Sequence, residues 1–231
     1  MPLPSRVQDP AVTVEAACGP IYYLHGFASS PESTKARFFA ERLATRGVTF
    51  VAPDLNAPDF TTMTMSRMLE QVTNAVANTG GRATLIGSSL GAALAVLAAG
   101  QMRTAVERLV LMAPAVMLAK PGHSLLPPDR IAQWERDGAT AFFHYGFNEE
   151  RMLNFEFYAD SLRLDPYEVD FAQPTLIFQG RRDVVVDYRS VESFARTRDN
   201  VTLRLLDDDH QLTASLPYMW QETEAFLEIS V

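Results

Sequence analysis

The stretch from Ala83 to Ala93 limits most strongly what this chain can become. Thr84, Leu85 and Ile86 suit a short buried strand, and Leu90, Ala92 and Ala93 open an apolar segment suited to a helix. At the join stands Gly-x-Ser-x-Gly, at Gly87, Ser89 and Gly91. A strand that turns straight into a helix holds one residue at the bend in a strained conformation. Side chains two positions before and after that residue would collide, and glycines there remove the collision. Ala92 and Ala93 let the helix approach the sheet. The bare pattern is a weak signal, because glycine and serine are common; the strand before it and the helix after it give it weight.

The rest of the chain repeats the same rhythm. Apolar, β-branched or aromatic runs at 21–24, 48–52, 109–112, 175–178 and 201–206 read as strands. Helical spacing follows at 32–46, 63–78, 89–102, 188–196 and 215–229, with Gly47 and Gly80-Gly81 as stops. Val12 to Val14 offers a short edge strand. Alternating strands and helices predict an α/β fold, a mostly parallel sheet with helices on both faces. The rhythm breaks at about 114–173, where Pro121, Pro127-Pro128, two amphipathic patches and many aromatics occur. That stretch reads as a helical lid inserted over one sheet edge, within a single domain spanning 1–231.

Composition excludes more than it identifies. A hydrophobic fraction of 47% over 231 residues is enough for a sizeable core. The net charge of -8 argues against non-specific nucleic-acid binding and against an anionic membrane surface. Cys18 is the single cysteine, so no internal disulfide forms, which is compatible with a reducing compartment. The first residues lack a basic segment followed by an apolar run, and no run of about 18 apolar residues occurs. These features predict a cytoplasmic protein with no membrane or nucleic-acid partner.

The chemically suggestive residues His25, Ser89, Asp183 and His210 each follow a strand, at the carboxyl ends where functional loops of a parallel sheet gather. Acyl transfer by serine needs a base for the hydroxyl proton, an acid to orient that base and donors for the oxyanion. Ser89, Asp183 and His210 stand in the chain order Ser, Asp, His. With Tyr23-Leu24-His25-Gly26-Phe27, Gly87-Ser88-Ser89-Leu90-Gly91, Gly180-Arg181-Arg182-Asp183-Val184-Val185 and Asp209-His210, the chain resembles the α/β-hydrolase superfamily, in particular its small bacterial serine esterases. The resemblance covers about residues 21–229. It implies hydrolysis of a carboxylic ester, with thioesters left open. Ser89 would be the nucleophile, His210 the base and Asp183 its orienting acid. The main-chain N–H groups of Phe27 and Leu90 would form the oxyanion hole. No cofactor and no metal is implied. The chain departs from the pattern at its start, which is too short for the two full strands that usually precede the His-Gly strand, so a reduced sheet edge is expected.

Plainer readings compete at several positions. Ser88 lacks glycines at the right spacing and reads as structural. His25 reads as a loop-shaping hydrogen bonder, and His123 and His144 as solvated or packed. Asp187 reads as a helix N-cap, and the run Asp207-Asp208-Asp209 as solvated, since one nearby histidine makes a poor transition-metal site. Phe142, Phe143, Tyr145, Phe147, Phe155, Phe157 and Tyr158 read mainly as the insertion's own core. Phe142, Phe143 and Phe147, with Phe27, are the candidates for contact with a small-molecule ester. A peptidase, a C–C bond hydrolase using the same triad and a non-catalytic binding protein on this fold are the alternatives. Acyl length and oligomeric state are not legible.

Overall fold

A computed structural model describes residues 19–229 apart from 119, 121 and 124. The edge strand expected at 12–14 lies outside the described residues. Six strands form one sheet: β1 (Ile21–Leu24), β2 (Phe50–Val51), β3 (Ala83–Ser88), β4 (Val106–Met112), β7 (Thr175–Gly180) and β8 (Val201–Leu206). Their order is β2-β1-β3-β4-β7-β8, and every neighbouring pair is parallel. Between them run α1 (Thr34–Ala44), α2 (Met65–Ala77), α3 (Leu90–Gln101), α6 (Tyr188–Arg196) and α7 (Leu216–Leu227).

Alternate side chains of each strand enter two separate cores, as a pleated strand dictates. Tyr22, Leu24, Leu85, Leu109, Leu111 and Ile177 pack with α2, α3 and α6. Ile21, Tyr23, Ile86, Val110, Leu176 and Phe178 pack with α1 and α7. The result is a three-layer α/β sandwich. Every residue of α3 from Leu90 to Ala99 is buried, which fixes its first residue, and with it Ser89, against the middle of the sheet. The edge strand β2 keeps only two residues of the five-residue run expected there. Strand β4 begins earlier than expected, at Val106.

The segment between β4 and β7 is not purely helical. It holds α4 (Pro128–Asp137), an antiparallel hairpin of β5 (Ala139–His144) and β6 (Glu149–Asn154), and α5 (Glu156–Ser161). The hairpin escaped the sequence because its outer face carries aromatic and charged residues together, which blurs the two-residue alternation. Phe142 and the buried His144 face inward; Phe143 and Tyr145 face solvent. Trp134 anchors the unit, its indole N–H donating to the Leu153 carbonyl at 2.8 Å. Asp160 ties it to the first turn of α2, accepting from the Ser66 N–H and hydroxyl, each at 2.7 Å.

Candidate active site

Ser89 sits between β3 and α3 with φ 53° and ψ −111°, a region non-glycine residues rarely adopt. The bend is pinned on both sides. The Ser89 N–H donates to the Met112 carbonyl at 2.8 Å, and the Ser89 carbonyl accepts from Ala92 at 3.1 Å and Ala93 at 3.2 Å. A Cβ on Gly87 would lie 2.5 Å from the Ala92 Cα, and one on Gly91 only 2.0 Å from the Leu24 carbonyl oxygen. Both glycines are therefore required by space, as the motif predicted. Ser88 points the other way into the fold and is buried. The Tyr23 hydroxyl hydrogen-bonds with Ser88 and Ser33, and burial still pushes the Tyr23 phenol up to about 12.

Asp183 and His210 meet directly. The His210 Nδ1 lies 2.8 Å from the Asp183 Oδ2. A carboxylate only accepts, so Nδ1 carries the proton and Nε2 presents its lone pair. The other Asp183 oxygen accepts from the Val185 and Val186 N–H groups, each at 2.8 Å, and Gln179 Nε2 donates to Oδ2 at 3.0 Å. Burial alone would raise the Asp183 carboxyl, but the hydrogen bonds from His210, Val186 and Val185 outweigh it and hold it below the usual carboxylate value. The loops after β7 and β8 approach closely, since a Cβ on Gly180 would sit 2.5 Å from the Asp208 carbonyl oxygen.

The neighbouring acids are engaged elsewhere. Asp187 caps α6, accepting from the Arg189 N–H at 3.1 Å. Asp207 pairs with Arg182 at 3.2 Å. Asp208 accepts from the Ser215 N–H at 2.9 Å and its hydroxyl at 2.8 Å, closing the loop that carries His210. His25 is held by its own loops: Nδ1 lies 2.9 Å from the Gly26 carbonyl, and Nε2 lies 3.0 Å from the Leu55 N and 3.5 Å from the Asp54 carboxylate.

Phe27 and Leu90 flank Ser89. Leu90 opens α3, so its N–H has no carbonyl one turn back, and Phe27 lies in the turn after β1. The Phe27 ring packs against Phe142, Phe157 and Phe60 at centroid distances of 5.0, 5.5 and 5.8 Å. The hairpin tip also grips this turn: the Tyr145 N–H donates to the Ala28 carbonyl at 2.8 Å, and Ala28 has φ 50°.

A cavity of about 340 Å³ opens at Ser89. Phe27, Leu90, Met117 and Leu118 line it, together with Val184, Val185 and Val186. Asp187, Ser190 and His123 add polar groups. Phe142, Phe143 and Phe147 do not border it. Phe142 braces Phe27, whereas Phe143 and Phe147 are about half exposed. The three valines escaped the sequence, although three consecutive valines in an otherwise polar turn were the available signal. Val184 is 97% exposed, and Val185 beside it is exposed as well. A wider cleft of about 640 Å³ lies at the opposite ends of β7 and β8, lined by 167–172 and 197–200, away from Ser89.

A mostly parallel six-stranded sheet between helices, with a strained serine elbow and an Asp–His pair at the same strand ends, is the α/β-hydrolase fold. The chain belongs to the uncharacterised protein family UPF0227, whose family model matches residues 20–228. Among solved structures it is similar to Est1E of Butyrivibrio proteoclasticus with ferulic acid bound. That likeness has a TM-score of 0.75 and 22% identity, over 93% of this chain and 89% of that one. It is also similar to mouse alpha/beta hydrolase domain-containing protein 10, with a TM-score of 0.73 and 19% identity over 91% and 90%. A third is the monoacylglycerol lipase of Paleococcus ferrophilus, with a TM-score of 0.73 and 13% identity over 92% and 97%. No curated protein matches the chain. Among the described residues no helix is long and apolar enough to cross a membrane.

Proposed function

We propose that this protein is a serine hydrolase that cleaves carboxylic esters of apolar acids. The observation that carries the reading is the 2.8 Å contact between His210 Nδ1 and the buried Asp183, at the same sheet edge as Ser89 in its strained elbow. In this mechanism His210 Nε2 takes the Ser89 hydroxyl proton as the oxygen attacks the ester carbonyl. The carbonyl oxygen becomes an oxyanion, received by the Phe27 and Leu90 N–H groups, with the positive end of α3 behind Leu90. His210 then gives its proton to the departing alcohol, leaving an acyl group on Ser89. Water, activated by the same imidazole, releases the acid. Asp183 keeps the ring in the productive tautomer throughout.

The cavity supports an apolar acyl group. Its volume is near the lower end for small-molecule sites, and its walls are aliphatic and aromatic. The acidic Asp187 at its side disfavours an anionic substrate and favours departure of the carboxylate product. Est1E with bound ferulic acid offers a precedent for a bulky carboxylic acid on this fold. Thioesters with such acids fit the same chemistry. Ala115, Met117, Leu118, His123 and Leu125 line the cavity, which supports a lid role for the start of the insertion. The single cysteine and acidic charge support a cytoplasmic location.

A panel of p-nitrophenyl esters tests this. Medium-length or aromatic acyl groups should exceed acetate in kcat/KM by roughly tenfold, since each methylene that enters an apolar pocket contributes about 1 kcal/mol. Val185→Ser should narrow that ratio to about threefold or less. Indifference to acyl length in both proteins would remove the pocket from the account. Hydrolysis of amides in preference to esters would favour the peptidase alternative.

A further inference from the structure

Lys35 occupies a position that helix physics disfavours. It is the second residue of α1, where the helix dipole repels a cation, and its side chain is only 8% exposed. A buried ammonium persists only when something holds it. Here its Nζ donates to the main-chain carbonyl of Gln211 at 2.8 Å, across the fold from α1 to the loop after β8. Gln211 directly follows His210, and the next residue, Leu212, has φ 55°. The lysine therefore grips a strained bend one residue from the imidazole.

The charges around it are acidic and come from two loops. Asp209 and Asp208 face it from the loop after β8, and Asp183 from the loop after β7. All three have other partners: Asp208 accepts from Ser215, Asp183 from His210, and Asp209 from the Gln211 N–H at 2.8 Å. Arg182, beside Asp207 and Asp208, is the other cation of this cluster, and it is exposed.

We propose that Lys35 is a positioning residue for His210, its ammonium fixing the main chain after the histidine and so the angle at which the imidazole meets Ser89. The proposal rests on the triad reading above. Burial lowers the Lys35 ammonium to about 8, against the pull of Asp209, Asp208 and Asp183. The charge-assisted bond to Gln211 therefore weakens within an accessible pH range, which gives the role a signature that simple packing lacks.

The test is the rate of fluorophosphonate labelling between pH 6 and 10, for the native protein and for Lys35→Arg, Lys35→Met and Lys35→Gln. Native labelling should decline severalfold as pH rises through about 8. Lys35→Met should label roughly ten- to a hundredfold more slowly at pH 7, the scale of a misplaced catalytic group, with no decline near 8. Lys35→Arg keeps the charge, so it should stay within about threefold of native at pH 7 and show no decline near 8. Lys35→Gln keeps a neutral donor and should fall between; it replaces Lys35→Met if circular dichroism finds that variant unfolded. A folded Lys35→Met that labels at the native rate overturns the proposal, as does an arginine variant as slow as methionine. A native protein that does not label at all overturns the triad reading, and this proposal with it.

Discussion

The loops after β3, β7 and β8 are held by main chain, whereas the insertion between β4 and β7 is held by rings. At the strand ends, Ser89 is fixed by backbone bonds to Met112, Ala92 and Ala93, and Asp183 by the N–H groups of Val185 and Val186. Glycines at 87, 91 and 180 allow backbones to approach where any Cβ would strike a neighbour. In the insertion, Trp134, Phe142, Phe155 and Tyr158 pack as tilted or edge-on aromatics. Backbone contacts tolerate almost no change of residue, because the permitted set is often glycine alone. Ring contacts tolerate exchange at similar volume. The difference fits the proposed division, with chemistry in the first region and shaping in the second. The regions touch at Phe27, whose main chain belongs to the strand-end loops and whose ring belongs to the aromatic cluster.

The sharpest way to break that division is at Asp183. Asn in its place presents the wrong partner to His210 Nδ1 while filling the same space. Turnover on a p-nitrophenyl ester should fall by roughly two to four powers of ten with the fold intact. Asp187→Asn and Asp208→Asn should each cost less than about tenfold, because these carboxylates cap a helix and close a loop. A crippled Asp187→Asn beside a near-normal Asp183→Asn would transfer the orienting role.

At the junction, Phe142→Ala should destabilise by about 2–3 kcal/mol, because the ring bridges Phe27 and Trp134. Activity should fall with it as the Phe27 turn loosens. Phe143→Ala, on the exposed face, should shift stability by less than about 1 kcal/mol and leave turnover unchanged. Denaturant titration with parallel rate measurements checks both. Equal effects would erase the distinction between the inner and outer faces of the hairpin.

A smaller effect separates the regions by pH. Lys35 titrates near 8 in the fold and about two units higher in the unfolded chain. Between those values the unfolded chain binds the extra proton, so stability rises with pH. The gain should approach about 2 kcal/mol by pH 10. Above that, Tyr23 opposes it, since its raised pKa favours folding only while the phenol keeps its proton. Lys35→Met should flatten the rise, and chemical denaturation at pH 7, 8.5 and 10 measures it. Asp183 acts at the other end of the scale. Its carboxyl is depressed, so its contribution is present above the ordinary carboxylate value and is lost as pH falls through the folded one.

The strand-end geometry was legible because it depends on short-range requirements written into neighbouring residues. Gly87, Ser89 and Gly91 carry their own steric logic, and helix 188–196 and strand 201–206 coincide with α6 and β8. Asp187 was readable as an N-cap for the same reason. The insertion was less legible because its pattern is set by partners distant in sequence. Whether Phe142 or Phe143 turns inward depends on Phe27 and Trp134, and no local periodicity encodes that. The cavity wall at Val184–Val186 was hidden differently. A run of three valines shows that the turn is apolar, but not which of the three stands in solvent and which is buried beside Ser89. Lys35 was invisible as well, since a lysine in a first helical turn looks like any surface charge until the loop carrying Gln211 closes over it.

The central claim is that Ser89, and no other serine, carries the acyl group. Treatment with a fluorophosphonate followed by peptide mass mapping tests it most directly. The account predicts one adduct per chain, on Ser89, retained in Ser88→Ala and absent in Ser89→Ala. An adduct on Ser88, or a folded protein that takes up no label while hydrolysing esters, would contradict it.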